Sequence, residues 1–250
     1  MRARAMGAGT PVVMIPSLGR PGADFDVLAA EVAGAGYTAV VLDPPSVDGV
    51  AGLAPGATLH DLAAAAAAAV APWPGPFHLI GHAFGGRVAR CLAADRPGQV
   101  RSLVVLGAGG RVEGDPEALA ALMRCFDDTL GPDEHLEAVG TAFFAPGGDP
   151  SAWRDGWWAE AARSQRQATA ATPVEDWWTP PPGLPMMVIV GAQDRISPPA
   201  NARLLAAEVG PQVSVVEIDG AGHALLPERP AEVAARVVAF LDGDGAVTTP

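Results

Sequence analysis

Short apolar runs alternate along the chain with stretches rich in alanine and leucine that have helical periodicity. The apolar runs are rich in β-branched residues and bounded by Gly or Pro, which is typical of parallel strands covered on both faces. The predicted strands are Pro11–Ile15, Tyr37–Leu42, Phe77–Ile80, Ser102–Leu106, Met186–Val190 and Val213–Ile218. The predicted helices are Asp24–Ala35, Thr58–Ala71, Gly86–Ala94, Pro199–Val209 and Ala231–Leu241. This alternation predicts an α/β fold with a mostly parallel central sheet flanked by helices.

Two local features extend this picture. Residues Arg2–Met6 are expected to add an earlier strand that pairs across the turn Gly7–Thr10. Thr58 and Ser197 precede predicted helices and are expected to cap them, because a side-chain hydroxyl can accept a hydrogen bond from a free N–H of the first turn.

The alternation stops between about Gly109 and Pro185. This stretch has helical patterns over Pro116–Leu130 and Asp133–Phe144, followed by a part that holds five of the six tryptophans. An insertion between two core strands is typical of a lid. The predicted organisation is a core at residues 1–108 and 186–243, a helical lid insertion at residues 109–185 and a flexible tail at residues 244–250. Some of these tryptophans are expected to line an apolar pocket, with Trp153, Trp157 and Trp158 as the candidates.

Composition excludes several classes of function. The net charge of −12 repels nucleic acid, and all 16 basic residues are arginine, so no lysine is available for a Schiff base. The two cysteines give neither a disulfide framework nor a metal site. No dinucleotide or phosphate-loop motif is present, and no apolar window is long enough to span a membrane. We therefore expect a cytoplasmic protein with no cofactor, no metal, and no nucleic acid or membrane partner.

The segment after the third predicted strand has the pattern G-x-A-x-G, with Gly81, Ala83 and Gly85. A strand that enters a glycine-flanked turn and then a helix is the setting of the nucleophile elbow, written G-x-S-x-G, in which the flanking glycines avoid clashes. Asp194 and His223 each follow a later predicted strand. The carboxyl ends of strands in an open sheet are where ligands bind, so all three positions are expected to meet there.

With these motifs, the chain resembles the α/β-hydrolase superfamily over nearly its whole length. The resemblance implies that His223 is a general base, that Asp194 orients it, and that the backbone N–H groups of Phe84 and Leu18 form an oxyanion hole. The loop after the first core strand offers Pro16-Ser17 where the family has His-Gly, which leaves Ser17 and Leu18 as alternatives for the second donor. His82 is expected to be a packing or orienting group beside the substrate pocket.

Ala83 occupies the position at which the family carries serine, and a methyl group cannot attack a carbonyl carbon. Three interpretations follow. The chain is an enzyme that uses His223 and Asp194 as a base without a covalent nucleophile, in lyase, isomerase, cyclase or water-activating chemistry. Alternatively, it is an inactivated variant of an esterase, thioesterase or C–C hydrolase, or a binding protein on this scaffold. The retained His–Asp pair favours the first. A tryptophan-rich lid with few charges nearby predicts an apolar or aromatic substrate with a carbonyl group.

Overall fold

A computed structural model describes residues 1–243 of the chain, and the predicted tail at residues 244–250 lies outside the described residues. Seven strands in the described part form one sheet, in the order β1-β3-β2-β4-β5-β6-β7. Their bounds are β1 Arg2–Gly7, β2 Pro11–Ile15, β3 Thr38–Asp43, β4 Phe77–His82, β5 Val100–Leu106, β6 Met186–Gly191 and β7 Val213–Ile218. Strands β2 to β7 run parallel to one another, so the predicted mostly parallel sheet is confirmed.

Ten α-helices lie in the described part of the chain. They are α1 Asp26–Gly34, α2 Leu59–Ala69, α3 Phe84–Asp95, α4 Pro116–Arg124, α5 Pro132–Phe143, α6 Ala159–Ala170, α7 Glu175–Trp178, α8 Ala200–Val209, α9 Leu225–Glu228 and α10 Pro230–Asp242. Short 3₁₀ turns occupy Gly22–Phe25 and Pro150–Trp153. Helices α4 to α7 all fall between β5 and β6, in the stretch where the sequence alternation stops. None of the helices within residues 1–243 is long and apolar enough to cross a membrane.

The core fills both faces of the sheet. All six residues of β3, β4 and β6 are buried, as near-continuous apolar runs predict. One cluster packs α2, α3 and α8 against one face, and a second packs α1 and α10 against the other. The capping prediction at Thr58 is confirmed, because Thr58 Oγ1 accepts from Asp61 N–H while the Asp61 carboxylate accepts from Thr58 N–H.

Two local predictions are wrong. Strand β1 pairs antiparallel with β3 rather than across the turn with β2, because β3 is buried and lies between β1 and β2 with a partner on each edge. The pairing is reinforced by Arg2, which donates to the carboxylate of Asp43 at 2.8 Å. Ser197 does not cap α8, which begins after Pro199 with no side-chain cap. Instead, its backbone N–H is held by the carboxylate of Asp194.

Candidate active site

The turn that contains Ala83 has an uncommon backbone conformation. Strand β4 ends at His82 and α3 begins at Phe84, so Ala83 alone joins them. Its φ of 48° and ψ of −106° lie where a residue with a Cβ is rarely found, at a cost of about 1–3 kcal/mol. Ala83 N–H donates to Leu106 O at 2.8 Å, and Gly86 N–H donates to Ala83 O at 3.0 Å. The surrounding backbone therefore holds the strained residue in place.

The two glycines that flank this turn leave no room for a side chain. A Cβ on Gly85 would lie 2.1 Å from Ile15 O and 2.6 Å from Pro16 O, and one on Gly81 would lie 2.4 Å from Gly86 N. Carbon atoms do not approach backbone atoms so closely, so any larger residue must displace a strand. The turn thus packs directly on the loop that follows β2.

His223 and Asp194 are hydrogen-bonded to each other at the carboxyl ends of β7 and β6. His223 Nδ1 lies 2.7 Å from Asp194 Oδ2, and both side chains are buried. The other carboxylate oxygen, Asp194 Oδ1, accepts from the backbone N–H groups of Ile196 and Ser197 at 2.9 and 2.8 Å. Because an ionised carboxylate only accepts hydrogen bonds, Nδ1 carries the proton and Nε2 is left as the basic nitrogen. This arrangement can remove a proton from a bound group.

His82 lies beneath this pair and does not line the cavity. Its Nε2 donates to His223 O at 2.9 Å, and the two imidazole centroids are 5.3 Å apart. Burial, followed by the neighbouring His223, lowers the pKa of His82 to about 3. His82 is therefore neutral near pH 7 and supports the backbone of His223, as the prediction of an orienting group requires. His82 is not among the residues that line the cavity described next, so its placement in the substrate pocket stays a prediction.

A cavity of about 310 Å³ lies next to Ala83 and His223. Fourteen residues line it: Ser17, Leu18, Ala83, Phe84, Arg87, Gly109, Leu122, Phe143, Arg166, Thr169, Ala170, Ile196, Ser197 and His223. A larger depression of about 660 Å³ lies along α4 and α5, but Ala83, Asp194 and His223 do not line it. The smaller cavity is therefore the one at which the predicted residues meet. Two arginines line it, in contrast to the expectation of few charges near the site.

Two backbone N–H groups that line this cavity have no acceptor. Phe84 is the first residue of α3, and neither its N–H nor that of Leu18 donates to another residue within residues 1–243. The next donor in the loop, Gly19 N–H, is occupied by the side chain of Gln165 at 2.8 Å. Ser17 also lines the cavity. The three residues predicted for an oxyanion hole, Ser17, Leu18 and Phe84, thus line the same cavity as Ala83.

The three tryptophans expected in the pocket do not line this cavity. The Arg20 guanidinium packs against both Trp153 and Trp157, and its central carbon lies 4.6 and 4.4 Å from their ring centroids. The two rings also contact each other edge-on, with centroids 6.2 Å apart. The backbone N–H of Trp158 donates to Gly19 O at 3.0 Å. The rings of Trp153 and Trp157 hold the insertion on the loop after β2. A role for the three tryptophans in a substrate pocket stays a prediction.

Sequence reasoning also missed two arginines. Arg20 is 2% exposed and donates twice to Asp24, at 2.7 and 2.8 Å, and once to Asp155 O at 2.7 Å. No pattern in the sequence distinguishes this buried ion pair from a solvated one. Arg87 was detectable, because it follows Ala83 by four residues in a predicted helix and therefore lies one turn along the same face.

A family model for the alpha/beta hydrolase family matches residues 12–236 of the chain. Among curated proteins, an alignment of 82 residues is 39% identical to RutD of Variovorax paradoxus (strain S110), a candidate carbamate hydrolase. That alignment covers 30% of this chain and 27% of RutD, so the chain matches little more than a quarter of the relative's length.

Two solved structures are similar over most of the chain. A thermophilic esterase from Thermogutta terrifontis has a TM-score of 0.78 at 21% identity, with 98% of this chain and 93% of that chain covered. BpoC of Mycobacterium tuberculosis H37Rv, a candidate non-haem bromoperoxidase, has a TM-score of 0.81 at 22% identity, with 98% and 96% covered. At these identities the likeness establishes the fold alone.

Proposed function

Because the chain belongs to the alpha/beta hydrolase family, we propose that it is an enzyme in which His223 acts directly as a general base. In this proposal the substrate is a small molecule with a carbonyl group, and no covalent intermediate forms at position 83. The hydrolases among its relatives favour water as the molecule that His223 deprotonates.

One observation carries the proposal: His223 lines the same cavity as Ala83 while its other nitrogen is bonded to buried Asp194. A buried carboxylate is unfavourable unless it is well paired, and Asp194 is held by three hydrogen bonds. A protein that only binds a ligand has no chemical need of this arrangement. The pair therefore supports proton transfer rather than binding alone.

The chemistry follows from these groups. Water attacks the carbonyl carbon as it gives a proton to His223 Nε2, and the charge on the carbonyl oxygen develops beside the N–H groups of Leu18 and Phe84. The bond to the leaving group then breaks, and His223 returns the proton to that group. Asp194 stabilises the imidazolium in between. A positioned base contributes about 10²–10⁴ in rate and each oxyanion donor about 10²–10³, so turnover is expected to be slow beside that of a serine hydrolase.

The helical insertion supports this function as a lid. Six of the fourteen lining residues lie within residues 109–185, among them Leu122, Phe143 and Arg166. These side chains complete the cavity above the edge of the sheet, so the insertion excludes bulk water and selects the substrate. The predicted division into a core and a lid at residues 109–185 is kept as part of the proposal.

The test compares the chain that carries Ala83 with three variants on a panel of activated esters, thioesters, lactones and carbamates. We expect slow steady-state turnover without an initial burst, and a loss of about 100-fold or more in His223→Ala. Ser17→Ala is the control for an alternative hydroxyl nucleophile. We expect no acyl-enzyme by mass spectrometry either in this variant or in the chain that keeps Ser17. Ala83→Ser is expected to show a burst and labelling by a fluorophosphonate.

Two results would overturn the proposal. If the chain that carries Ala83 turns over nothing while Ala83→Ser is a fast esterase, the chain is an inactivated serine hydrolase. If neither form has activity and His223→Ala leaves ligand affinity unchanged, the chain is a binding protein.

A further inference from the structure

The cavity beside Ala83 is positively charged although the chain as a whole is acidic. Its fourteen lining residues include Arg87 and Arg166 but no aspartate or glutamate, in a chain with 28 acidic residues and 16 basic ones. Within residues 1–243, neither guanidinium donates a hydrogen bond or forms an ion pair. A guanidinium has five N–H donors, and a partly buried one without acceptors is costly. No acidic side chain of the lining therefore neutralises the two guanidinium groups.

Arg87 is held in place by an aromatic ring rather than by an acid. Its guanidinium carbon lies 4.6 Å from the ring centroid of Trp177, and that of Arg90 lies 5.3 Å from the same centroid. Arg90 donates only to carbonyl oxygens, those of Gly86, Gly109 and Trp178. Burial lowers the pKa of Arg87, and burial followed by the neighbouring Arg87 charge lowers the pKa of Arg90 to about 9. Two neighbouring cations thus share no counter-ion among the described residues.

Gly109 lies beside both the guanidinium of Arg87 and the hydroxyl of Ser197. A Cβ placed on Gly109 would lie 3.1 Å from Arg87 Nη2 and 3.3 Å from Ser197 Oγ. The two donors therefore lie close to each other on one wall of the cavity, where glycine has no side chain to cover them. The Ser197 hydroxyl has no hydrogen-bond partner in the part of the chain that the structure describes. A guanidinium and a hydroxyl that lie close together on a cavity wall can both donate to the oxygens of one anionic ligand group.

We propose that this cavity binds a small molecule carrying a carboxylate, with Arg87 as its counter-ion and Ser197 as a second donor. Arg166, which is exposed, contributes a second positive charge at the rim. A carboxylate suits Arg87 because the stacked guanidinium keeps its donors in one plane and can pair with both oxygens at once. The inference deepens the proposed function by naming the substrate class, and it rests on that function only in using the same cavity.

The test is the binding of matched carboxylates and amides, measured by calorimetry without turnover. Benzoate and 4-phenylbutyrate are compared with benzamide and 4-phenylbutanamide on the chain that carries Ala83. We expect each carboxylate to bind at least about tenfold more tightly than its amide, and Arg87→Met to remove that preference while amide affinity stays the same. Arg166→Met is expected to weaken the carboxylate a few-fold. Arg163→Met, on the same helix but away from the cavity, is the control and is expected to change nothing.

Binding is also measured with two further variants, so that a variant that does not fold cannot leave the proposal untested. Gly109→Ala adds a methyl group between the two donors and is expected to weaken carboxylate binding even if Arg87→Met does not fold. The same preference measured in His223→Ala separates this inference from the proposed catalysis, because binding does not need the base. If the chain that carries Ala83 binds acid and amide alike, the inference is overturned. Inorganic phosphate that competes as well as benzoate overturns the assignment to carboxylates.

Discussion

The carboxyl edge of the sheet and the helical insertion enclose the same cavity but are held together in different ways. At the edge, backbone meets backbone: a Cβ on Gly191 would lie 2.2 Å from Gly222 O, in the same way that one on Gly85 would meet Ile15 O. These contacts fix the loops that carry Asp194 and His223 relative to the turn at Ala83. The positions of the chemical groups are therefore set by close packing of main chain, which tolerates little adjustment.

The insertion is attached both through its backbone and through individual side chains. Asp115 N–H donates to Arg195 O at 2.7 Å, and Phe143 O accepts from Ala224 N–H at 2.8 Å. Arg20 joins the loop after β2 to Asp155 O and to two tryptophans, Gln165 accepts from Gly19 N–H, and Arg90 donates to Trp178 O. Each of these contacts can be removed singly, whereas the glycine contacts cannot be altered without moving a strand. The side-chain contacts are therefore the part of this attachment that single substitutions can test.

The largest effect is expected from Gly85→Ala. The added methyl group would lie 2.1 Å from Ile15 O, so the turn must shift away from β2, and we expect the free energy of unfolding to fall by about 4 kcal/mol or more. Gly34→Ala is the control, because no atom lies within 4 Å of its added methyl group and Gly34 is in a helix. That variant is expected to be unchanged or about 0.5 kcal/mol more stable in urea unfolding. Similar losses in both would show that the close contacts at the edge are not rigid.

Arg20→Met tests the attachment of the insertion. It leaves the buried Asp24 carboxylate without its partner, and we expect a loss of about 3 kcal/mol together with faster hydrogen exchange in residues 109–185. The double variant Arg20→Met with Asp24→Asn is expected to recover part of that loss, because the unpaired charge is gone. Arg236→Met removes an exposed pair with Glu232 at 3.8 Å and is expected to cost less than about 0.5 kcal/mol. Hydrogen exchange that becomes faster to the same extent throughout the core would show that Arg20 does not specifically hold the insertion.

The same contrast explains which features the sequence predicts. Both the sheet and the glycines of the turn at Ala83 leave local signals, namely apolar runs and a spaced motif, and the loops after β6 and β7 were located from strand ends alone. The packing of the tryptophans was not predicted, because Trp153 packs against Arg20, 133 residues away in the chain, and no local pattern encodes that contact. The predicted pairing of β1 is wrong for a related reason. Which strand lies beside β1 depends on the order of the whole sheet and not on the local sequence.

His82 lies where the two regions meet, since its ring contacts both His223 and Trp153, with centroids 5.3 and 5.8 Å apart. Its pKa of about 3 in the folded protein is below the value of about 6.5 in an unfolded chain. The unfolded state therefore binds more protons between these values, and stability falls as the pH is lowered through this range. We expect a loss of about 2 kcal/mol between pH 7.5 and pH 5 from this residue, measured by urea unfolding. His82→Gln, which keeps a donor for His223 O, is expected to flatten the pH dependence.

His60→Gln is the matched control, because His60 is perturbed in the opposite direction. A hydrogen bond to Asp95 at 2.9 Å, and a weaker one to Asp176 in the insertion, raise its pKa. Its contribution to the stability of the folded protein is therefore present below about pH 6.5, and it is lost as the pH rises through the pKa of His60 in the folded state. His60 is about one-third exposed, so solvent screening limits the effect to about 0.5 kcal/mol, and its removal should make the overall pH dependence steeper. If both variants flattened the curve, the burial of His82 and the pairing of His60 would not act on stability in opposite directions.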